Sequence, residues 1–576
     1  MDWKKVIWWI EMTIPWIIAL PFMLRWVYID RSKPDAGPCF GVTVITAAYW
    51  IFEPIPLVIT AFFPIFLLPF FVVSKSSSVT SVMFTDTSLI FIGGFVFSIA
   101  MVRWNLHSRI ALKTVMVFGL KPKILLLGVC VVTTFLGLFL SNTATALTMV
   151  PNAIAIITKL EEMSNDPQNI APFAKALLMM IAMTCSAAGM ITIIGTPPNL
   201  VLAQTVRNLF PAAPEIGFAQ FMFVSFPSAF FMLVFLYIFF IFYYLRGVKF
   251  PSNIEASDFK AVYDKLGPWK PAEKIISITF ACLALLWLFK SDINFGSFSI
   301  KGWASIIYGK KGSDYIKDGT VAILFAMLLF IIHVPAEDNK DAEKGDVDLE
   351  LRAHPDEKPD IENPIESLEE NMDKFEEEED DVRPLTSQDS DDKKKEWVPI
   401  IEWEYTQQKM PWTILFLFAG GFALNQGFTD SGLDVWIGSN LMGITSLPLY
   451  SLILVIVIVS IIMTNLVASN TACANILLPI VASIARTSKT IHPFLLMFPS
   501  AFATSYCFIM PVATPPNLIC YGTGRLTIKD FVITGSFLTI VAIIVVPIVC
   551  LYFVPPVFDA YSFPTWANTS LISPTY

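Results

Sequence analysis

Long apolar stretches separated by short polar segments dominate the pattern along the chain. A helix needs about 20 apolar residues to cross a bilayer. Stretches of about that kind lie at roughly 13–30, 38–52, 56–73, 88–102, 218–245, 274–289, 320–335, 411–428 and 530–554. Four longer runs, 124–158, 176–206, 435–485 and 493–524, contain no Lys, Arg, Asp or Glu. The pattern predicts an all-α polytopic membrane protein.

The uncharged runs differ from simple spans. Run 124–158 has 35 residues, too many for one straight span, and suits a hairpin of two short helices that re-enters from one side. Runs 176–206 and 493–524 each contain Pro-Pro-Asn, where a helix must break. Unwound backbone at membrane depth is tolerated only where it is buried or lines a polar cavity. The two breaks therefore point to a binding site.

Three motifs recur in the second half of the chain in the same order. Ser-Asn-Thr-Ala at 141–144 returns at 469–472, an offset of 328. Thr-Pro-Pro-Asn-Leu at 196–200 returns at 514–518, an offset of 318, and Gly-Gly at 93–94 returns at 420–421, an offset of 327. Nearly constant offsets indicate an internal duplication, and repeated halves with interrupted helices are typical of secondary transporters.

Composition excludes several other classes. The chain of 576 residues is 55% hydrophobic and 15% charged, with a mean hydropathy of +0.63, which excludes a soluble enzyme or a nucleic-acid binder. Its eight Cys lack paired spacing, its four His share no neighbourhood, and no nucleophile–base arrangement or phosphate-cradling loop is visible. We expect no enzyme activity, no metal centre and no cofactor beyond coupling ions.

The net charge of −9 hides an uneven distribution. Residues 336–396 hold 25 acidic and 9 basic residues, a charge of −16, so the remaining chain carries +7. Segment 336–396 has too few large apolar groups to fold and is predicted to be a disordered loop. Asp430 and Asp434 flank a span and are interpreted as solvated loop residues.

The predicted organisation has six segments. They are N-terminal spans 1–79, repeat 1 at 80–245 with hairpin 124–158 and broken helix 176–206, connecting spans 246–335, the acidic loop 336–396, repeat 2 at 397–554 with hairpin 450–485 and broken helix 493–524, and a tail 555–576. Asn568-Thr569-Ser570 is an N-glycosylation acceptor, so its use would make the tail extracellular. Eleven spans with a cytoplasmic N-terminus agree with that, and they place the acidic loop in the cytoplasm.

The motifs bring neutral polar groups to mid-membrane depth. Asn and Thr at a hairpin tip supply carbonyl, amide and hydroxyl groups, and the ends of short helices leave N–H and C=O groups unpaired. Helix N-termini favour anions, while unwound carbonyls and Asn or Ser oxygens coordinate a cation such as Na⁺. No Lys or Arg stands beside any of the four motifs in the sequence. We therefore expect a neutral site that holds an anion together with cations.

These motifs resemble those of the divalent anion/sodium symporter family, which includes the animal sodium-coupled di- and tricarboxylate (citrate) cotransporters and the sulfate cotransporters. The resemblance covers nearly the whole chain: residues 53–69, both Ser-Asn-Thr hairpins, both Thr-Pro-Pro-Asn breaks, residues 409–438 and the tail around 563–568. It implies an inverted-repeat elevator transporter with about 11 membrane-spanning helices and two re-entrant hairpins. The resemblance also implies a homodimer in the plasma membrane, held together by a scaffold formed by the N-terminal and connecting spans.

The resemblance further implies a site, residue by residue. One sodium ion would be held by Ser141, Asn142 and the backbone at Gly195. The second would be held by Asn470 with the backbone at Ala468 and Ala513. The substrate carboxylates would be met by Asn142, Thr143, Thr196, Asn470, Thr471, Thr514 and Pro515.

Two departures from the family lie at this site. The first break has Pro197 where many animal members have Gly, and the second hairpin has Thr471 where mammalian citrate carriers often have Val. The leading hypothesis is plasma-membrane symport of di- or tricarboxylates, such as succinate or citrate, with sodium. Sulfate/sodium symport and sodium-independent dicarboxylate exchange stay open as alternatives. From another class, an anion channel or a non-transporting sensor stays open too.

Overall fold

The structure of the chain, a computed structural model, is almost entirely helical, which confirms the predicted fold class. It describes residues 3–107, 109–110, 113, 118, 121–163, 169–246, 248, 263–264, 266–295, 298–309, 312–335, 397–467 and 469–568. The predicted acidic loop 336–396, the predicted sodium ligand Ala468 and residues 569–576 of the predicted tail lie outside the described residues.

The N-terminal part and the first half of the chain form ten described helices. The N-terminal ones are α1 (Trp3–Met23), α2 (Ala36–Phe52), α3 (Leu57–Phe70) and α4 (Ser76–Ser81). They are followed by α5 (Asp86–Arg103), α6 (Pro122–Gly137), α7 (Asn142–Met163), α8 (Ala171–Gly189), α9 (Pro197–Leu209) and α10 (Phe218–Tyr243).

The connecting part contains four described helices, and two small antiparallel two-stranded sheets accompany them. Its elements are α11 (Pro271–Leu288), strands β1 (Ile293–Phe295) and β2 (Phe298–Ile300), then α12 (Trp303–Tyr308), α13 (Gly312–Tyr315) and α14 (Asp318–Ile331). Strand β3 (His333–Pro335) pairs with β4 (Trp397–Pro399), so Pro335 and Trp397 lie opposite each other.

The second half supplies the remaining described helices. They are α15 (Trp403–Lys409), α16 (Trp412–Ser431), α17 (Leu433–Asn440), α18 (Leu449–Leu466), α19 (Asn470–Ser488), α20 (Pro493–Thr504), α21 (Pro515–Gly522) and α22 (Ile528–Phe558). Three 3-10 turns accompany them, at Met442–Ser446, Pro511–Ala513 and Thr565–Ala567.

The two halves show the same order of elements. In each, a helix with a Gly-Gly pair (α5, α16) comes before two helices that meet at a Ser-Asn-Thr motif (α6–α7, α18–α19), and in the second half α17 and a 3-10 turn lie between them. Next comes a helix that stops before Thr-Pro-Pro-Asn (α8, α20), a short helix that starts at its first proline (α9, α21), and a long apolar helix (α10, α22). The duplication and the segment boundaries stay predictions, although this order is what they lead us to expect.

Length and composition identify the membrane-crossing helices. Among the described residues, eight helices are long and apolar enough to cross a bilayer, and five shorter apolar helices accompany them. Helix α10 exposes Phe226, Phe230 and Phe242 along its length, a surface suited to lipid rather than to water. The structure is therefore that of a multi-pass membrane protein, while the number of eleven spans stays a prediction.

Close backbone approach explains the paired glycines. A Cβ added to Gly93 would lie 2.6 Å from the Cβ of Ala322 on α14, and one added to Gly420 would strike the backbone of Ala61 on α3. Small residues at such crossings let helices pack closely without a side chain between them. These glycines therefore bring α5 and α16 against neighbouring helices.

One expectation about acidic residues is wrong. Asp434 is not solvated: its side chain is only 3% exposed, and its Oδ2 lies 2.6 Å from Nη1 of Arg486 in the last turn of α19. Helix α17 folds back onto α19, which buries the carboxylate and places the guanidinium against it. Sequence position beside a span did not reveal this packing.

Candidate functional site

The two hairpin tips have the same local structure. The backbone N–H of Ala144 donates to Oγ of Ser141 at 3.2 Å, and the N–H of Ala472 donates to Oγ of Ser469 at 3.2 Å. Each serine therefore caps the start of a helix, α7 or α19. The asparagine and threonine that follow it lie in the first turn, where the chain turns between the two arms of the hairpin.

The last residue of each Pro-Pro-Asn motif fastens the unwound segment before it. The Asn199 side-chain amide donates to the carbonyl oxygens of Gly189 (3.1 Å) and Thr192 (2.7 Å). In the same way, Asn517 donates to residues 507 (3.1 Å) and 510 (3.2 Å). Both amides thus reach carbonyls ten and seven positions earlier and tie the short helix to the unwound segment before it. The sequence did not reveal this role, although the asparagine recurs in both motifs.

The short helices after the breaks begin in matching conformations. Thr196 (φ −147°, ψ 144°) and Thr514 (φ −143°, ψ 148°) precede them, and each helix opens with two prolines. Because proline has no N–H, these helix starts offer an anion fewer backbone donors than ordinary ones. The threonine hydroxyls remain as donors, and Oγ1 of Thr514 is buried without a described hydrogen-bond partner.

Both hairpin tips and both breaks meet at one cavity of about 580 Å³. All seven residues predicted to bind substrate line it: Asn142, Thr143, Thr196, Asn470, Thr471, Thr514 and Pro515. Of the predicted sodium ligands, Ser141 and Ala513 also line it, whereas Gly195 does not appear in its wall. The structure brings the residues together, and their binding roles stay predictions.

The first predicted sodium position has converging oxygens. A Cβ added to Gly189 would strike Oδ1 of Asn142 and lie 3.0 Å from the carbonyl oxygen of Gly195, so these two oxygens face one point. The carbonyl oxygen of Gly137 lies 3.0 Å from the point where a Cβ on Gly195 would be. Oδ1 of Asn142 is buried without a described hydrogen-bond partner. Several buried oxygens and no paired donor are the chemistry that a hard cation requires.

The corresponding place in the second half is different. Here Oγ1 of Thr464 lies 3.1 Å from Oδ1 of Asn470 and 2.8 Å from the carbonyl oxygen of Thr504, and these two acceptors share its single hydrogen. Cys507 stands where the offset of 318 would place the counterpart of Gly189, and its Sγ donates to the Thr464 carbonyl at 2.8 Å. The two halves therefore do not offer a cation equivalent positions, since the second asparagine oxygen has the Thr464 hydroxyl beside it and Cys507 stands in place of the glycine.

The expectation of a wholly neutral site is wrong for the cavity wall, which includes a lysine side chain. Lys409 at the end of α15 and His107, which follows α5, both line the cavity together with Tyr405. His107 is buried, and its Nδ1 donates to the carbonyl of Met101 at 3.0 Å. None of these residues lies near a motif in the sequence, so only the packing of α5 and α15 brings them to the cavity.

Comparisons with known proteins agree with this architecture. The model of the family described as the sodium:sulfate symporter transmembrane region matches residues 8–558. The sodium-dependent dicarboxylate transporter SdcS of Staphylococcus saprophyticus is 31% identical over 525 residues, which are 90% of this chain and 86% of that protein. SdcS of Staphylococcus aureus is 32% identical over 524 residues, 89% of this chain and 85% of that protein.

A solved structure is similar at lower identity. MtrF of Neisseria gonorrhoeae, from a class of antimetabolite efflux pumps, has a TM-score of 0.48 and 13% identity over 82% of each chain. The family match is far more extensive, since it takes in both hairpin motifs and both proline breaks. With a family model that spans nearly its whole length, this chain belongs to the divalent anion:Na⁺ symporter family, whose members are membrane transporters and not enzymes.

Proposed function

We propose that the protein is a sodium-coupled symporter that carries di- and tricarboxylates, such as succinate and citrate, across the plasma membrane. The observation that carries this proposal is the convergence of both Asn-Thr tips and both Thr-Pro-Pro-Asn breaks on one cavity of about 580 Å³. Neutral amide and hydroxyl donors can bind a carboxylate and still release it. The names of the SdcS relatives support dicarboxylate as the substrate class and sodium as the coupling ion.

Sodium coupling is supported by the oxygen cluster of the first half. The unpartnered Oδ1 of Asn142 and the Gly195 carbonyl would bind one ion next to Ser141. The positive charge of that ion would offset the negative charge of a carboxylate bound at the adjacent Thr143, so each would favour the binding of the other. A second ion near Asn470 would have to displace the hydroxyl of Thr464.

The proposal includes an elevator mechanism, in which the site moves as one body against a dimeric scaffold. Two ion pairs between the halves support a single moving body. Arg525 lies 2.5 Å from Glu161 of α7, and Lys175 of α8 lies 2.8 Å from Asp530 of α22. These pairs join the hairpin and broken helix of the first half to the broken helix and long helix of the second, so the parts that form the cavity would move together.

Uptake of radiolabelled succinate, citrate and sulfate by cells expressing the protein tests the proposal. We expect saturable succinate and citrate uptake that disappears when choline replaces sodium. Asn142→Ala and Asn470→Ala should each abolish uptake at normal surface expression, because each removes a side chain from the cavity wall. Asn568→Gln is the matched control, since Asn568 does not line the cavity.

Each competing function has its own outcome. Uptake that persists when choline replaces sodium would identify a sodium-independent exchanger. Uptake of sulfate alone would identify a sulfate symporter, and sulfate is the substrate named in the family description. Macroscopic current without saturation would identify a channel, and no flux of any of the three anions would indicate a sensor. Full uptake by Asn142→Ala or Asn470→Ala would remove the proposed site.

A further inference from the structure

One positively charged side chain, that of Lys409, contributes to the cavity wall. Among the described residues that line it, Lys409 is the only Lys or Arg, and no Asp or Glu occurs there. Its side chain is half-buried. All other polar groups in the wall are neutral hydroxyls and amides, apart from the imidazole of His107. Within the described part of the wall, an anion therefore meets the side chain of one lysine and no carboxylate.

Helix α15, which carries Lys409, is fastened at its start to the end of α5. Nη2 of Arg103 lies 3.3 Å from Oε1 of Glu402, and the indole N–H of Trp104 donates to the carbonyl of Ile400 at 2.8 Å. Both Arg103 and Trp104 are buried. The helix therefore starts at a fixed place, and Lys409 at its end stands on a structured element.

Lys409 shares one face of α15 with another cavity residue. Tyr405 precedes it by four positions, the spacing that puts two side chains on the same side of a helix, and both line the cavity. The guanidinium of Arg103 lies 4.7 Å from the centre of the Tyr405 ring, which fixes the orientation of this face. This face therefore contributes to the cavity wall.

We propose that Lys409 is a specificity-determining residue that binds the third carboxylate of a tricarboxylate. This inference rests on the proposed function. The two Asn-Thr tips are related by the internal offset and supply two uncharged binding positions, one for each carboxylate of a dicarboxylate. Lys409 belongs to neither motif, comes from a third element and adds a positively charged position to the same cavity. A substrate with two carboxylates occupies the two uncharged positions, and only a third carboxylate needs the ammonium group.

Kinetics of succinate and citrate uptake with Lys409→Gln test this role. Losing one ammonium–carboxylate contact corresponds to about tenfold in affinity, so we expect the ratio of the citrate KM to the succinate KM to rise about tenfold. Lys409→Arg keeps the charge and should hold that ratio within about threefold of wild type. Lys274→Gln, an exposed lysine at the start of α11 outside the cavity wall, is the matched control and should leave the ratio unchanged.

The outcomes separate this inference from the proposed function. Equal KM changes for both substrates, or no change for either, would overturn the role of Lys409 while leaving the symporter intact. Wild-type uptake of succinate without citrate would do the same, because no third carboxylate would then be accommodated. Wild-type uptake of neither would remove the proposed function and this inference with it.

Discussion

A buried ion pair joins three helix ends in the described part of the chain, and breaking it should destabilise the protein. Nζ of Lys290, just after α11, lies 2.7 Å from Oδ1 of Asp318, the first residue of α14, and both side chains are at most 2% exposed. Oδ2 of Asp318 accepts the backbone N–H of Phe218 at 3.2 Å, which adds the start of α10. Glu215, just before α10, lies 3.9 Å from Lys290.

The magnitude follows from these distances. With an effective dielectric constant of 20, the attraction across 2.7 Å is about 6 kcal/mol, and that across 3.9 Å to Glu215 is about 4 kcal/mol. Burial alone would lower the pKa of Lys290, but Asp318 and Glu215 outweigh it and raise the pKa above its ordinary value, so the ammonium stays charged. Breaking a buried pair costs 3–5 kcal/mol, and since Glu215 remains, we expect Asp318→Asn to cost about 3 kcal/mol.

Equilibrium unfolding by SDS titration in detergent micelles, followed by tryptophan fluorescence, measures this free energy. Asp35→Asn is the matched control, because Asp35 pairs with Arg25 at a partly exposed site, where about 0.2–1 kcal/mol is expected. Lys290→Met combined with Asp318→Asn should cost less than the two single changes added together, since no uncompensated charge is left. A loss from Asp318→Asn no larger than that from Asp35→Asn, or strictly additive changes, would refute the reasoning.

Three further predictions concern a cation position, acid stability and topology. Gly189→Ala places a methyl group against Oδ1 of Asn142, where a cation would bind. The sodium concentration for half-maximal succinate uptake should therefore rise at least about tenfold at normal surface expression. An unchanged sodium dependence would count against a cation at this position. Burial lowers the pKa of His492, just before α20, from 6.5 to about 4. The unfolded chain therefore binds a proton that the folded one does not, and stability falls by about 2 kcal/mol from pH 8 to pH 5; His492→Gln should remove that part of the pH dependence in SDS unfolding, and an identical slope would contradict it. Asn568→Gln should abolish a mobility shift on endoglycosidase treatment, and the absence of a shift in the wild type would remove the argument for an extracellular C-terminus.

The fold class and, in outline, the residues of the cavity wall could be predicted from the sequence alone. Hydrogen-bonding demands in lipid explain why: the backbone must satisfy itself, so helices are the default, and a Ser-Asn-Thr or Pro-Pro-Asn inside an uncharged run stands out. The recurrence of both motifs then predicted that the two halves contribute to one site. All seven residues predicted for the substrate do line one cavity, including Thr143 and Thr471 from opposite halves.

The same reasoning failed where a contact depended on distant elements. Lys409 and His107 stand far from the motifs in the sequence, yet both line the cavity. Asp434 stands in a short segment between spans, yet it is buried against Arg486. The absence of charged residues next to a motif in the sequence does not mean that none lies near it in the structure, because helices from distant segments pack against the motif.

The sequence by itself determined the class of protein and the polar groups that belong at membrane depth. The length and periodicity of an apolar stretch and the position of its prolines are properties of that one segment and need no distant contact. Only the tertiary structure decided which groups share the cavity, that Asn199 and Asn517 fasten the unwound segments, and that the two halves differ at their asparagines. These features depend on how helices from separate segments cross. Small residues such as Gly93 and Gly420 allow the close approach of neighbouring helices at such crossings, and the partner of each lies in a distant stretch of sequence.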